Sequence, residues 1–219
     1  LKKRLLIGTL AVVIVAVGAI MMSASASDTT FQTFKELRET LARNKKIEDI
    51  TIVQVGSYSI TKKNLEDYRA QIQNQNSISG ISTSIADKDL LKKLITDQLL
   101  IQKADELNVS ASLEDGKKQA AENRDFLKTQ PNDAQEFQRK IIESLELTED
   151  QYWNDYVPAQ YQKLKTISNA IDKLVELKQI PDNDNPNIYG QNILEFKEII
   201  YNQAIEQKIV ITSTDVALK

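Results

Sequence analysis

The chain has 219 residues, 41% hydrophobic and 27% charged, with a formal net charge of −3, six glycines, four prolines, and neither cysteine nor histidine. That length allows one or two domains, and the scarcity of Gly and Pro favours long helices over a turn-rich β fold. Without His or Cys there is no Cys–His zinc site, no disulfide, no thiol for lipid attachment and no Ser–His–Asp or Cys–His catalysis.

The first 26 residues differ from the rest. Lys2, Lys3 and Arg4 precede an uncharged apolar run from Leu5 to Met22, followed by Ser23-Ala24-Ser25-Ala26-Ser27. This is the order of a signal peptide, with an A-x-A site at Ala24 and Ala26 and cleavage after Ala26. The 18-residue run is also just long enough to cross a bilayer, so a retained N-terminal membrane anchor is the alternative. Either way the positive flank stays inside and the remainder is exported, to be secreted or held at the outer face of a bacterial cytoplasmic membrane. Leu1, where Met is expected, reads as a non-standard bacterial start codon. Without Lys2, Lys3 and Arg4 the body carries 25 basic against 31 acidic residues, a net −6. That balance argues against nucleic acid as a partner. The mixed signs read as solvated helix faces.

Residues 27–48 read as a linker and an exposed helix, with Phe31, Phe34, Leu37 and Leu41 at helical spacing among many charges. The expectation is a stalk-like helix packed loosely on a main body at 49–219. Ile50–Val55 alternates and is β-branched, as a strand does. Gly56-Ser57 makes a two-residue hairpin turn, and Tyr58–Ile60 returns. Thr61 caps a helix whose stripe is Leu65, Tyr68 and Ile72. The polar stretch 73–86 reads as a flexible loop. A long helix over about Lys88–Leu107 follows, with a wide apolar face that includes Leu90, Leu91, Ile95 and Ala104, and Asn108 ends it.

Ser112 with Asp115 forms a capping box and starts the next helix, through about Leu127. After the break at Pro131 comes a helix with Phe137, Ile141, Ile142 and Leu145. Thr148 with Gln151 is a second capping box. It opens a helix carrying Tyr152, Trp153, Tyr156 and Tyr161, interrupted by Pro158. Apolar periodicity resumes from Leu164 to Leu177. Pro181–Pro186 is a polar loop, and a last helix spans about Asn192–Gln207. Ile209–Thr212 reads as a strand that can pair with Ile50–Val55.

Motifs for chemistry are missing. The glycines are too scattered for a phosphate loop. Asp182-x-Asp184 resembles a calcium loop, but Asn187 stands where glycine is needed and Ile193 where the bidentate Glu belongs. No carboxylate spacing singles out an acid/base pair, so no catalytic residue, metal or cofactor is assigned and the chain is read as a non-enzyme.

The order of the elements is more informative. ITIVQVGSYSITKKNLEDY, then DLLKKLITDQLLIQKADELNVSAS, then EFQRKIIESLELTEDQYWNDYV resembles the N-terminal chaperone domain of SurA-like and PrsA-like extracytoplasmic foldases, over roughly Ile50–Leu177. The resemblance implies a mainly α, multi-helix chaperone domain with a small β element, the N-terminal hairpin pairing with the C-terminal strand. It also implies binding of unfolded, exported polypeptides through apolar grooves. Many members carry a parvulin-type isomerase domain with histidines. Here the place for it, about Gln179–Gly190, is too short, and the lipidated Cys of PrsA-type members is absent, so isomerase activity and a lipid anchor are not implied.

On a helical wheel Trp153 and Val157 fall on the core face and Tyr152 and Tyr161 on its flanks. Tyr68, Ile72, Tyr152, Tyr156 and Tyr161 are therefore the candidate peptide-binding residues, Tyr suiting a partly wet contact. Two functions are open: an exported chaperone-like protein that binds unfolded segments, or a membrane-tethered helical adaptor with one envelope partner. A groove lined by those residues favours the first, and a filled interior there favours the second.

Overall fold

A computed structural model describes residues 28–81 and 85–212. The signal peptide or anchor expected over 1–26 lies outside the described residues. The chain is mainly helical with a small antiparallel sheet. In order come α1 (Asp28–Asn44), β1 (Thr51–Val55), β2 (Tyr58–Thr61), α2 (Lys62–Ile78), α3 (Asp87–Glu106), α4 (Leu113–Lys128) and α5 (Asn132–Ser144). The single turn α6 (Glu149–Gln151), a π turn (Tyr152–Tyr156), α7 (Pro158–Glu176), α8 (Pro186–Glu206) and β3 (Val210–Thr212) complete it. These elements divide into two compact units.

The first unit takes the described residues up to 43, 70–81 and 111–165. Its core is Phe34 and Leu37 of α1, Phe137, Ile141 and Ile142 of α5, and Tyr152, Trp153, Val157 and Tyr161 around the π turn. Phe34 and Leu37 are 0% and 3% exposed. The loosely packed stalk is thus corrected: the apolar stripe of α1 supplies core. Phe31 sets its ring 5.5 Å from that of Phe137, and Arg38 pairs with Glu146 at 2.7 Å. Burying a large apolar side chain contributes about 1.5–3 kcal/mol, and the charges between keep their hydration by facing water.

Both capping boxes form. The Asp115 N–H donates to Ser112 Oγ at 3.1 Å and the Ser112 N–H donates to Asp115 Oδ2 at 2.9 Å. Thr148 and Gln151 repeat the exchange at 2.9 and 3.1 Å. Pro158 has no N–H to give, so the turn before it closes through Val157, whose N–H donates to the Tyr152 carbonyl five residues back at 3.0 Å. That i→i−5 bond is the π turn. Pro158 then opens α7, where its fixed φ and missing donor cost nothing.

The loop expected over 73–86 is also corrected. Helix α2 continues to Ile78 because no Gly or Pro stops it until Gly80. Gly80, at φ +69, makes a left-handed cap: its N–H donates to the Ser77 carbonyl at 3.2 Å and that of Ile81 to Asn76 at 2.8 Å. Residues 82–84 of that stretch lie outside the described residues.

The second unit takes residues 44–69, 85–110 and 166–212. Its sheet has the order β2-β1-β3, antiparallel throughout, with Val55 opposite both Tyr58 and Val210. The expected pairing of the N-terminal hairpin with the C-terminal strand is therefore present. Gly56 at φ +56 makes the turn, and Gln102 of α3 donates to the Val55 carbonyl at 2.7 Å. Thr61 and Asn64 cap α2 reciprocally, at 3.0 and 3.2 Å. Leu100, Leu174, Ile180, Tyr189 and Ile193 form the helical core of this unit. Helix α8 starts six residues earlier than expected: Asn185 caps it and Pro186 occupies the first turn.

Gly116 marks a close backbone approach in the first unit. A Cβ there would strike the Pro158 carbonyl oxygen and lie 3.1 Å from the Gln162 nitrogen, backbone atoms that cannot swing aside. Gly190 in α8 has nothing within 4 Å of such a Cβ. Gly116→Ala is expected to lower stability by about 1–3 kcal/mol. Gly190→Ala is expected to raise it, by up to about 1 kcal/mol. Urea unfolding midpoints of the two variants check the pair.

Candidate functional site

The five candidate peptide-binding residues do not line a groove. Tyr152 is 1% exposed, Tyr161 5%, Tyr68 4% and Ile72 7%, and Tyr156 is partly buried against the same core. Tyr68 belongs to the second unit and the other four to the first. Tyr152 stacks on Tyr156 at 5.8 Å and meets Trp153 edge-on at 5.0 Å, geometries favoured by aromatic quadrupoles. Their polar ends are held inside. Asn123 donates to the Tyr161 hydroxyl at 2.6 Å, and Trp153 Nε1 donates to Glu149 at 2.9 Å. Burial pushes the Tyr161 phenol up to about 12, a shift that the Asn123 bond partly offsets. Burial raises Tyr152 and Tyr68 as well. These rings are interior, and the expectation that Tyr152 and Tyr161 flank the core is corrected. The wheel fails because the π turn changes the angular step just before Pro158.

An open recess of about 910 Å³ lies beside them in the first unit, within the roughly 300–1,000 Å³ of ligand pockets. Helix α4 supplies one wall with Lys117, Lys118, Ala121, Arg124 and Lys128, and the π turn supplies Trp153, Asn154 and Asp155. Arg124 pairs with Asp150 at 3.1 Å and Lys128 with Asp125 at 2.7 Å. Asp115, also in the wall, is committed elsewhere. The Ser112 N–H, then the Ser112 hydroxyl, then Lys165 at 3.3 Å hold its carboxyl down to about 2. Sequence reasoning set these residues aside as a solvated helix face. The signal available was the spacing of Lys117, Ala121, Arg124 and Lys128, which puts three cations in line along α4.

The described residues contain no cluster of His, Cys, Asp or Glu able to hold a metal ion. Among the described residues no helix is long and apolar enough to cross a membrane.

Comparison with known proteins adds one similarity. The chain is 25% identical over 153 residues to the glutamate-rich protein GrpA of Alkalihalophilus pseudofirmus, covering 64% of this chain and 87% of that protein. That name describes a composition. No family model and no solved structure matches the chain.

Two outcomes test the site as described. Tyr152→Ala is expected to cost about 3–5 kcal/mol, as truncations of buried rings do, and Tyr161→Phe about 1 kcal/mol for the lost hydrogen bond, both read from urea denaturation. For Asp115 the folded carboxyl titrates below its unfolded value of 3.8. Its contribution is thus complete above about pH 4 and is lost as pH falls toward 2. Carbon-detected NMR titration should place the Asp115 midpoint near 2, and Ser112→Ala should move it up.

Proposed function

We propose that the protein is an exported chaperone-like helical protein that holds unfolded or extended segments of other exported chains, without isomerase chemistry. The observation that supports this most is the return of β3 to β1 after a short α7–α8 connection over 177–185. This is the element order implied by the resemblance to SurA-like and PrsA-like foldases, with no room where members of that family carry an isomerase domain. The grip is not formed by Tyr68, Ile72, Tyr152, Tyr156 or Tyr161, which pack inside or against the cores. An accessible surface such as the recess along α4 must provide it.

The second reading is a membrane-tethered adaptor with one specific envelope partner. The filled interior at Tyr152 and Tyr161 favours it, since a broad apolar groove is what promiscuous capture needs. The two readings separate cleanly. A chaperone-like protein suppresses the aggregation of an unrelated denatured protein, followed by light scattering, at a few-fold molar excess. It also recovers many different chains from an envelope extract. Absence of suppression together with recovery of a single stoichiometric partner would select the adaptor.

A further inference from the structure

The geometry points to an amide cross-link between the side chains of Lys63 and Asn44, formed by the protein on itself with Asp67 as the proton shuttle. Asn44 ends α1, and Lys63 and Asp67 stand one turn apart at the start of α2. All three belong to the second unit. Asp67 uses both of its oxygens. Lys63 Nζ donates to Oδ2, and Asn44 Nδ2 donates to Oδ1 at 3.0 Å. A Lys–Asp pair four residues apart is ordinary on a helix and contributes little. The third partner sets this pair apart. One carboxylate holds an amine and a carboxamide side by side, a nucleophile next to an acyl carbon.

Burial is the second observation. Asn44 is 7% exposed, so water has little access to its acyl carbon. The side chains of Lys63 and Asp67 are 32% and 21% exposed. The amine held beside the carboxamide therefore meets it with less competition from solvent than a free surface lysine does.

The step balances within these three side chains. Asp67 Oδ2 takes one proton from the Lys63 ammonium. The freed lone pair on Nζ attacks Asn44 Cγ, and the carbonyl π pair moves onto the Asn44 oxygen. Asp67 returns its proton to Asn44 Nδ2, the atom that its other oxygen already touches. The carbonyl re-forms, the bond from Cγ to Nδ2 breaks, and ammonia leaves with that electron pair. The surplus proton on Nζ goes to the ammonia, which departs as ammonium. One amide replaces another, nothing is oxidised or reduced, and Asp67 ends as it began.

The bond closes a ring around β1 and β2, which lie between residues 44 and 63. In a chain without cysteine it does the work of a disulfide, restricting the unfolded chain. It forms once in each molecule, so slow chemistry suffices. The inference is independent of the function proposed above.

The test uses the purified, folded protein at neutral pH. Intact mass spectrometry is expected to read the sequence mass less one ammonia. Trypsin is expected to leave the chain uncut after Lys63 and to release a branched peptide, Asn44-Lys45 joined to Lys63–Arg69. Lys63→Arg and Asp67→Asn are each expected to restore the full mass and to lower the urea midpoint, with folding checked by circular dichroism. Asp67→Asn keeps both reacting groups and removes only the shuttle. Full mass in the folded unmutated protein would overturn the inference. So would a loss of ammonia that persists in Lys63→Arg, because Asn44 would then have closed on its own backbone as a succinimide. If a variant does not fold, the presence or absence of the branched peptide in the unmutated protein decides.

Discussion

Helix α4 can lie against the start of α7 because residue 116 carries no side chain. The Pro158 carbonyl occupies the space that a Cβ would need. From that approach follow the Asn123–Tyr161 bond, the Lys165–Asp115 pair and the bond from Gln162 to the Ala111 carbonyl at 3.1 Å. The proline that interrupts the aromatic stretch is also one side of this crossing. A helix that ran unbroken through residue 158 would have neither the π turn nor the restart that aims Tyr161 inward.

The consequence for function is a division of labour. Four rings in ten residues look like a surface made for gripping, yet they pay for themselves as interior: stacked, edge-on, and bonded at their polar tips. What the first unit leaves accessible beside the cluster is the charged outer wall of α4 and the exposed part of the π turn.

Much of this was legible locally. The two capping boxes, the Gly56 turn, the hairpin with its returning strand, and the long α3 with its Asn108 cap are each written in a few adjacent residues, and each forms as read. Trp153 and Val157 were legible as core from the apolar face that they share, and both are buried. Three features were not. The extension of α2 to Ile78 lies in a run of Gln, Asn and Ser, whose intrinsic preferences do not separate helix from loop. The burial of Tyr152 and Tyr161 depends on a π turn that a wheel at 100° per residue cannot represent. Gly116 is one glycine in a charged helix, and its role appears only when the backbone it meets is known. The basic line on α4 was visible but indistinguishable from ordinary solvation until a concave wall was found around it.

The central claim is that the aromatic cluster is interior and not a contact surface, and selective nitration of tyrosine in the folded protein addresses it most directly. With tetranitromethane at neutral pH and peptide mapping by mass spectrometry, Tyr58, which is 45% exposed, should be modified rapidly. Tyr68, Tyr152 and Tyr161 should stay unmodified until the protein is unfolded. Modification of Tyr152 and Tyr161 in the native protein at the rate of Tyr58 would contradict the account and return them to the surface.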